Sequence, residues 1–108
     1  MENSPLSISI IEARDLPRGT VNPYVVISVG SSQQQKSDFA EGTTDPIFNE
    51  VMNFDITTGK EDVQVRVISK DMIEKEVGSC SLHLDDYNDQ YRHENEWKNL
   101  DKGGRIKF

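Results

Sequence analysis

The side chains with chemistry to offer are few: one cysteine, Cys80, and two histidines, His83 and His93. A catalytic centre needs a nucleophile or an acid–base pair supported within a pocket. Cys80 falls in phase with Leu82 and Leu84, which makes it a small core residue rather than a reactive thiolate. His83 points to the opposite face of the same run, and His93 sits between Arg92 and Glu94. Neither histidine has a second ligand near it in sequence, so both read as surface residues rather than a metal site. No glycine-rich, phosphate-cradling loop is present. These residues point away from an enzyme and towards a module that binds.

The whole-chain balance narrows what it can bind. Net charge is −7, from 19 acidic against 12 Lys and Arg residues. Nucleic acid, or adhesion to anionic lipid by bulk charge, needs clustered cations, so nucleic acid is excluded and any membrane contact must come from a local site. The 108 residues suit a single domain, 1–108, expected to be a monomer in isolation. One cysteine permits no internal disulfide, and no apolar run approaches the roughly 20 residues of a membrane span or forms the core of a signal peptide. A cytoplasmic, at most peripherally membrane-associated, location is the expectation.

The elements that position these residues are short strands. Asn22-Pro23 opens a run of seven residues, Pro23 to Val29, that ends at Gly30; Val25, Ile27 and Val29 share one face and Tyr24, Val26 and Ser28 the other. With apolar residues on both faces, this strand is expected to be central and covered on each side. Leu6, Ile8 and Ile10 define an earlier strand by alternation, and Gln34 to Ala40 a polar edge strand anchored by Phe39. Phe48, Met52, Phe54 and Ile56 mark a fourth, interrupted at its start by Asn49-Glu50, and Val63 to Val67 a fifth. Ser69 to Glu76 reads as a polar loop carrying Met72 and Ile73, and Val77 to Leu84 as a sixth strand. An acidic loop from Asp85 leads to Trp97 and Leu100 in a seventh, with Trp97 closing one end of the core, and Arg105 to Phe108 forms an eighth. No stretch of ten or more residues shows helical period. The fold class is therefore all-β, an eight-stranded antiparallel β-sandwich.

The run Leu6 to Pro17, then Asn22-Pro23-Tyr24-Val25, then Thr44-Asp45-Pro46-Ile47-Phe48-Asn49-Glu50 with Phe54, then Gly78 with Leu82 and Leu84, then Trp97-Lys98-Asn99-Leu100 and a final strand after Gly103-Gly104, resembles a C2 domain over essentially the whole chain. With the Leu6 strand first and the Gly104–Phe108 strand last, the order is similar to the second, circularly permuted topology of that family. The resemblance implies a targeting or docking module, in many members for calcium and phospholipid headgroups, with three loops at one end: here Leu16–Asn22, Ala40–Ile47 and Ser69–Val77.

Residue by residue, the resemblance carries over weakly for calcium. That ion takes six to eight oxygen ligands and favours converging carboxylates. The first loop lacks its midway Asp, and Asn22 stands where a second Asp would precede Pro-Tyr. In the third loop Ser69, Asp71 and Lys75 occupy the family's three carboxylate positions, leaving Asn22, Asp71, Glu74 and Glu76 as candidate ligands, with Lys70 and Lys75 opposing a divalent cation. Calcium is thus a possible cofactor of a domain expected to bind it weakly or not at all. Membrane contact would fall to Val21, Met72 and Ile73, flanked by Lys70 and Lys75. The partner is a phospholipid surface or a protein, the latter met through a sheet face or the acidic Asp85–Glu96 region against a basic partner.

Overall fold

The computed structural model describes residues 4–30, 33–40, 42–56, 62–70, 72–82 and 97–108, with side chains 4–6 and 56 left aside. Asp71, His83, Leu84, His93, the acidic 85–96 region and the inward side chain expected of Leu6 lie outside the described residues.

Among the described residues eight strands run in chain order as β1 (Ser4–Arg14), β2 (Pro23–Val29), β3 (Gln33–Lys36), β4 (Ile47–Ile56), β5 (Val63–Lys70), β6 (Glu74–Leu82), β7 (Trp97–Asn99) and β8 (Arg105–Lys107). They form two four-stranded sheets, β4-β1-β8-β7 and β3-β2-β5-β6, with every pairing antiparallel. The last strand lies between β1 and β7, which is the permuted order expected above.

Alternation explains the layering. Pro23 has no N–H to donate and begins β2, where that loss matters least. From there Val25, Ile27 and Val29 are fully buried and meet Val63, Val65 and Val67 of β5 and Ile10 and Ile106 of the facing sheet. Full burial of each such side chain is worth about 1.5–3 kcal/mol, so this shared layer holds the sheets together. The opposite face of β2 is also covered: Tyr24, Val26 and Ile68 form a second, smaller buried cluster.

Several element bounds differ from expectation. β3 stops at Lys36, and Phe39 lies beyond it, largely exposed, instead of anchoring an edge strand. Ser37 takes over there, its N–H donating to Val25 O and its Oγ accepting from Val25 N, both at 2.8 Å. β4 is not broken by Asn49-Glu50; Asn49 turns through φ 50°, and the β1–β4 register shifts between Ile10 and Glu12 to absorb the irregularity. The segment Ser69–Glu76 is not a loop. After a bulge between Val67 and Ile68 the β5–β6 ladder continues through Ile68–Glu76, Ser69–Lys75 and Lys70–Glu74.

Trp97 does not close the core. Ala13 and Ile106 point inward, so their neighbours Glu12, Arg14, Arg105 and Lys107 face outward, and Trp97, paired with Lys107, lies with them, 37% exposed.

Both lateral seams between the sheets are laced by side chains. Gln33 Nε2 donates to Asp55 O at 2.6 Å while its Oε1 accepts from Asp55 N at 2.8 Å; Gln35 Nε2 donates to Asn53 O; and Asp38 N donates to Glu50 Oε2 at 2.9 Å. On the other side Asp101 N donates to Ser79 O at 3.0 Å, and Asp101 Oδ1 accepts from Ser79 N at 2.8 Å.

Candidate functional site

Three connections meet at one end of the sandwich, and Asn22 ties them together. Its Nδ2 donates to Lys70 O at 3.1 Å, its Oδ1 accepts from Gly42 N at 3.2 Å, and its carbonyl accepts from Lys70 N at 3.1 Å. Ser69, buried, accepts from Val21 N at 2.8 Å through its Oγ. Thr20 folds its hydroxyl onto Pro17 O at 2.6 Å. The first loop is thereby pinned against the end of β5, beneath Met72 and Ile73.

The β5–β6 turn holds the apolar candidates. Met72 is 97% exposed and Ile73 79%, so neither folds back onto the sandwich. Val21 is only half-buried at their base, while Lys70 and Lys75 are exposed on either side. Phe39, 46% exposed, joins them: Lys70 Nζ lies 5.4 Å from its ring centroid, within cation–π range. Sequence reasoning assigned Phe39 to a strand and so missed it here. No signal in the sequence marks this placement, which is set by the backbone bond from Ala40 N to Pro23 O beside the start of β2.

Among the described calcium candidates, the side chains of Asn22 and Glu74 are already engaged. The Asn22 carboxamide spends both its donor and its acceptor on backbone groups. Glu74 Oε1 accepts from Tyr24 Oη at 3.1 Å, and burial together with this bond raises the Tyr24 pKa above its ordinary value. Glu76 is half-buried on β6, where its carbonyl lies 3.5 Å from Lys102 Nζ. Among the described residues no three Asp, Glu, His or Cys side chains converge on a point that would hold a metal. Of the described candidates, Asn22 is the one whose ligating side-chain oxygen is spent on a backbone N–H.

Cys80 packs against the core from a half-buried position, and burial pushes its thiol up to about 11. At neutral pH it is protonated and not a nucleophile. No helix among the described residues is long and apolar enough to cross a membrane.

A C2 domain family profile matches residues 4–100. Among solved structures, the paired A and B C2 domains of Extended-Synaptotagmin 2 superpose with a TM-score of 0.84 at 25% identity, covering 95% of this chain and 38% of that one. A C2 domain-containing protein from a putative elicitor-responsive gene gives 0.82 at 23% identity, covering 97% and 85%. The first C2 domain, domain A, of plant Extended Synaptotagmin 1 gives 0.78 at 16%, covering 95% and 88%. The chain spans well under half of the two-domain structure and most of the other two. Two sheets in the permuted strand order, three connections gathered by Asn22, and a profile match over nearly the full length lead to one conclusion: the chain belongs to the C2 domain family.

Proposed function

We propose that this domain is a non-enzymatic docking module that seats its β5–β6 turn on a phospholipid surface and needs no tightly bound calcium to do so. The observation that carries this reading is the exposure of Met72 and Ile73 just beyond a strand end that Asn22 and Val21 hydrogen-bond. A backbone tied down below the turn limits the ordering cost on entering an interface to that of the side chains themselves, about 0.5–1.5 kcal/mol each. Full burial contributes about 1.5–3 kcal/mol per side chain, against about 4 kcal/mol for a millimolar dissociation constant. Two residues alone are marginal. Phe39 adds a third apolar group, and Lys70 and Lys75 each contribute about 1 kcal/mol near anionic headgroups. The resulting contact is weak and reversible, suited to a domain that works with a second attachment.

Calcium dependence is the alternative, through Asn22, Asp71 and Glu74 or Glu76. The paired A and B C2 domains of Extended-Synaptotagmin 2, 24% identical to this chain, have been solved calcium bound. One experiment separates the readings: sedimentation with phosphatidylcholine/phosphatidylserine vesicles, in chelator and in millimolar calcium, for the native domain and for Met72→Ser/Ile73→Ser. The expected result is binding in chelator that the double substitution abolishes. Binding that survives the substitution overturns the tip reading. Binding that appears only with calcium, together with a calcium-dependent rise in melting temperature, transfers the function to the calcium alternative.

A further inference from the structure

The outer face of the β4-β1-β8-β7 sheet carries a second feature. Residues 97–108 hold Lys98, Lys102, Arg105 and Lys107 against Asp101 alone, a basic hairpin in a chain of net charge −7. Three of its residues gather at one spot: Arg105 lies 4.7 Å and Lys107 5.6 Å from the Trp97 ring. Arg14 is the direct cross-strand partner of Arg105 on β1. Like charges directly opposite one another on a sheet repel. Only Arg14 has a carboxylate partner among the described residues, Glu12 at 3.5 Å. The cross-strand row from Trp97 through Lys107 and Glu12 ends at Ile47 on β4, which is exposed, as is Val51 further along that strand.

We infer that this face is a docking surface for an acidic peptide segment of a partner protein, with Arg105 and Lys107 pairing its carboxylates and Trp97 holding the two cations in place. Aromatic and arginine side chains together form the chemistry of interaction hot spots. Position argues for a protein rather than lipid. Asp101 is bonded to Ser79, and Glu74–Gly78 lie between Ser79 and Ile73, six steps or about 20 Å at roughly 3.3 Å per residue; only Lys102 reaches nearer the tip, its Nζ 3.5 Å from Glu76 O. An interfacial insertion reaches only about 5–10 Å. A domain seated by its tip therefore holds Trp97 and its strand partner Lys107, further along the hairpin from the tip than Asp101, clear of the headgroups, so this step rests on the tip reading for its orientation. The acidic remainder of the chain does not forbid an acidic partner, because screening over about 8 Å at physiological salt leaves the local cations dominant.

Trp97 is the only tryptophan, so its emission reports on this face directly. The test is a titration of the full chain at low salt with a peptide of alternating Glu and Leu, its Gln-for-Glu counterpart, and phosphatidylserine vesicles. A saturable emission shift is expected with the Glu peptide only, weakened by added salt and reduced about tenfold or more in Arg105→Gln/Lys107→Gln. Met72→Ser/Ile73→Ser should leave it unchanged while losing vesicle sedimentation, which separates failure at this face from failure at the tip. No saturable shift, an equal response to the Gln peptide, a response to vesicles alone, or a shift driven by protein concentration alone, as in self-association, would each overturn the assignment.

Discussion

The β5–β6 and β7–β8 hairpins are both exposed, yet they are built in opposite ways. The first projects past the sandwich, with its apolar residues touching nothing and its strands zipped to Lys70–Glu74. The second is tucked in: its turn passes through Gly103 and Gly104, at φ 109° and 84°, and a Cβ on Gly104 would lie 2.8 Å from Asp15 O and 2.9 Å from Arg14 O. In the first hairpin the side chains at the tip are independent of the fold. In the second, fold and surface share the same atoms, since Arg14 and Arg105 are set by the strand pairing that this turn permits.

That contrast can be broken in order of expected effect. Gly104→Ala forces a side chain into a left-handed backbone and against two carbonyls, and should cost about 3 kcal/mol in denaturant unfolding. A loss below about 1 kcal/mol would show that the turn relaxes, and the coupling would be gone. Asn22→Ala removes the staple beneath the projecting hairpin, two modest hydrogen bonds worth about 1 kcal/mol in all, and should weaken vesicle binding more than its stability loss accounts for. An unchanged vesicle affinity would mean that the brace is dispensable. The smallest effect on stability belongs to Met72→Ser/Ile73→Ser, within about 0.5 kcal/mol by thermal melting, because no core contact is lost. A larger loss would place those side chains on the sandwich.

The strands of the shared core were legible because their apolar residues repeat every second position, as in Val25, Ile27 and Val29, all fully buried. The end of β5 and start of β6 were not: Lys70, Glu74 and Lys75 are polar on both faces, since strands beyond the sandwich have no core to alternate against. Trp97 was misplaced by weighing size over parity. Leu100 is buried three residues on, and along an alternating strand positions i and i+3 face opposite sides, so Leu100 inward already turns Trp97 outward. Phe39 was hidden for a different reason, a contact between segments distant in sequence. The charge contrast of residues 97–108 was visible in the sequence and carries more meaning once Arg14 is beside it.

The laced seams bear on how such a domain behaves when many copies crowd onto one surface. An edge strand offers alternating N–H and C=O groups to any extended chain that drifts past, and this is the usual route to fibrils and exchanged strands. Gln33 presents to Asp55 the same donor and acceptor that a neighbouring strand would present, and Asp101 does so for Ser79. An intruding strand would find those places taken by the molecule's own side chains. A β-rich module can then reach high local density without its copies knitting together.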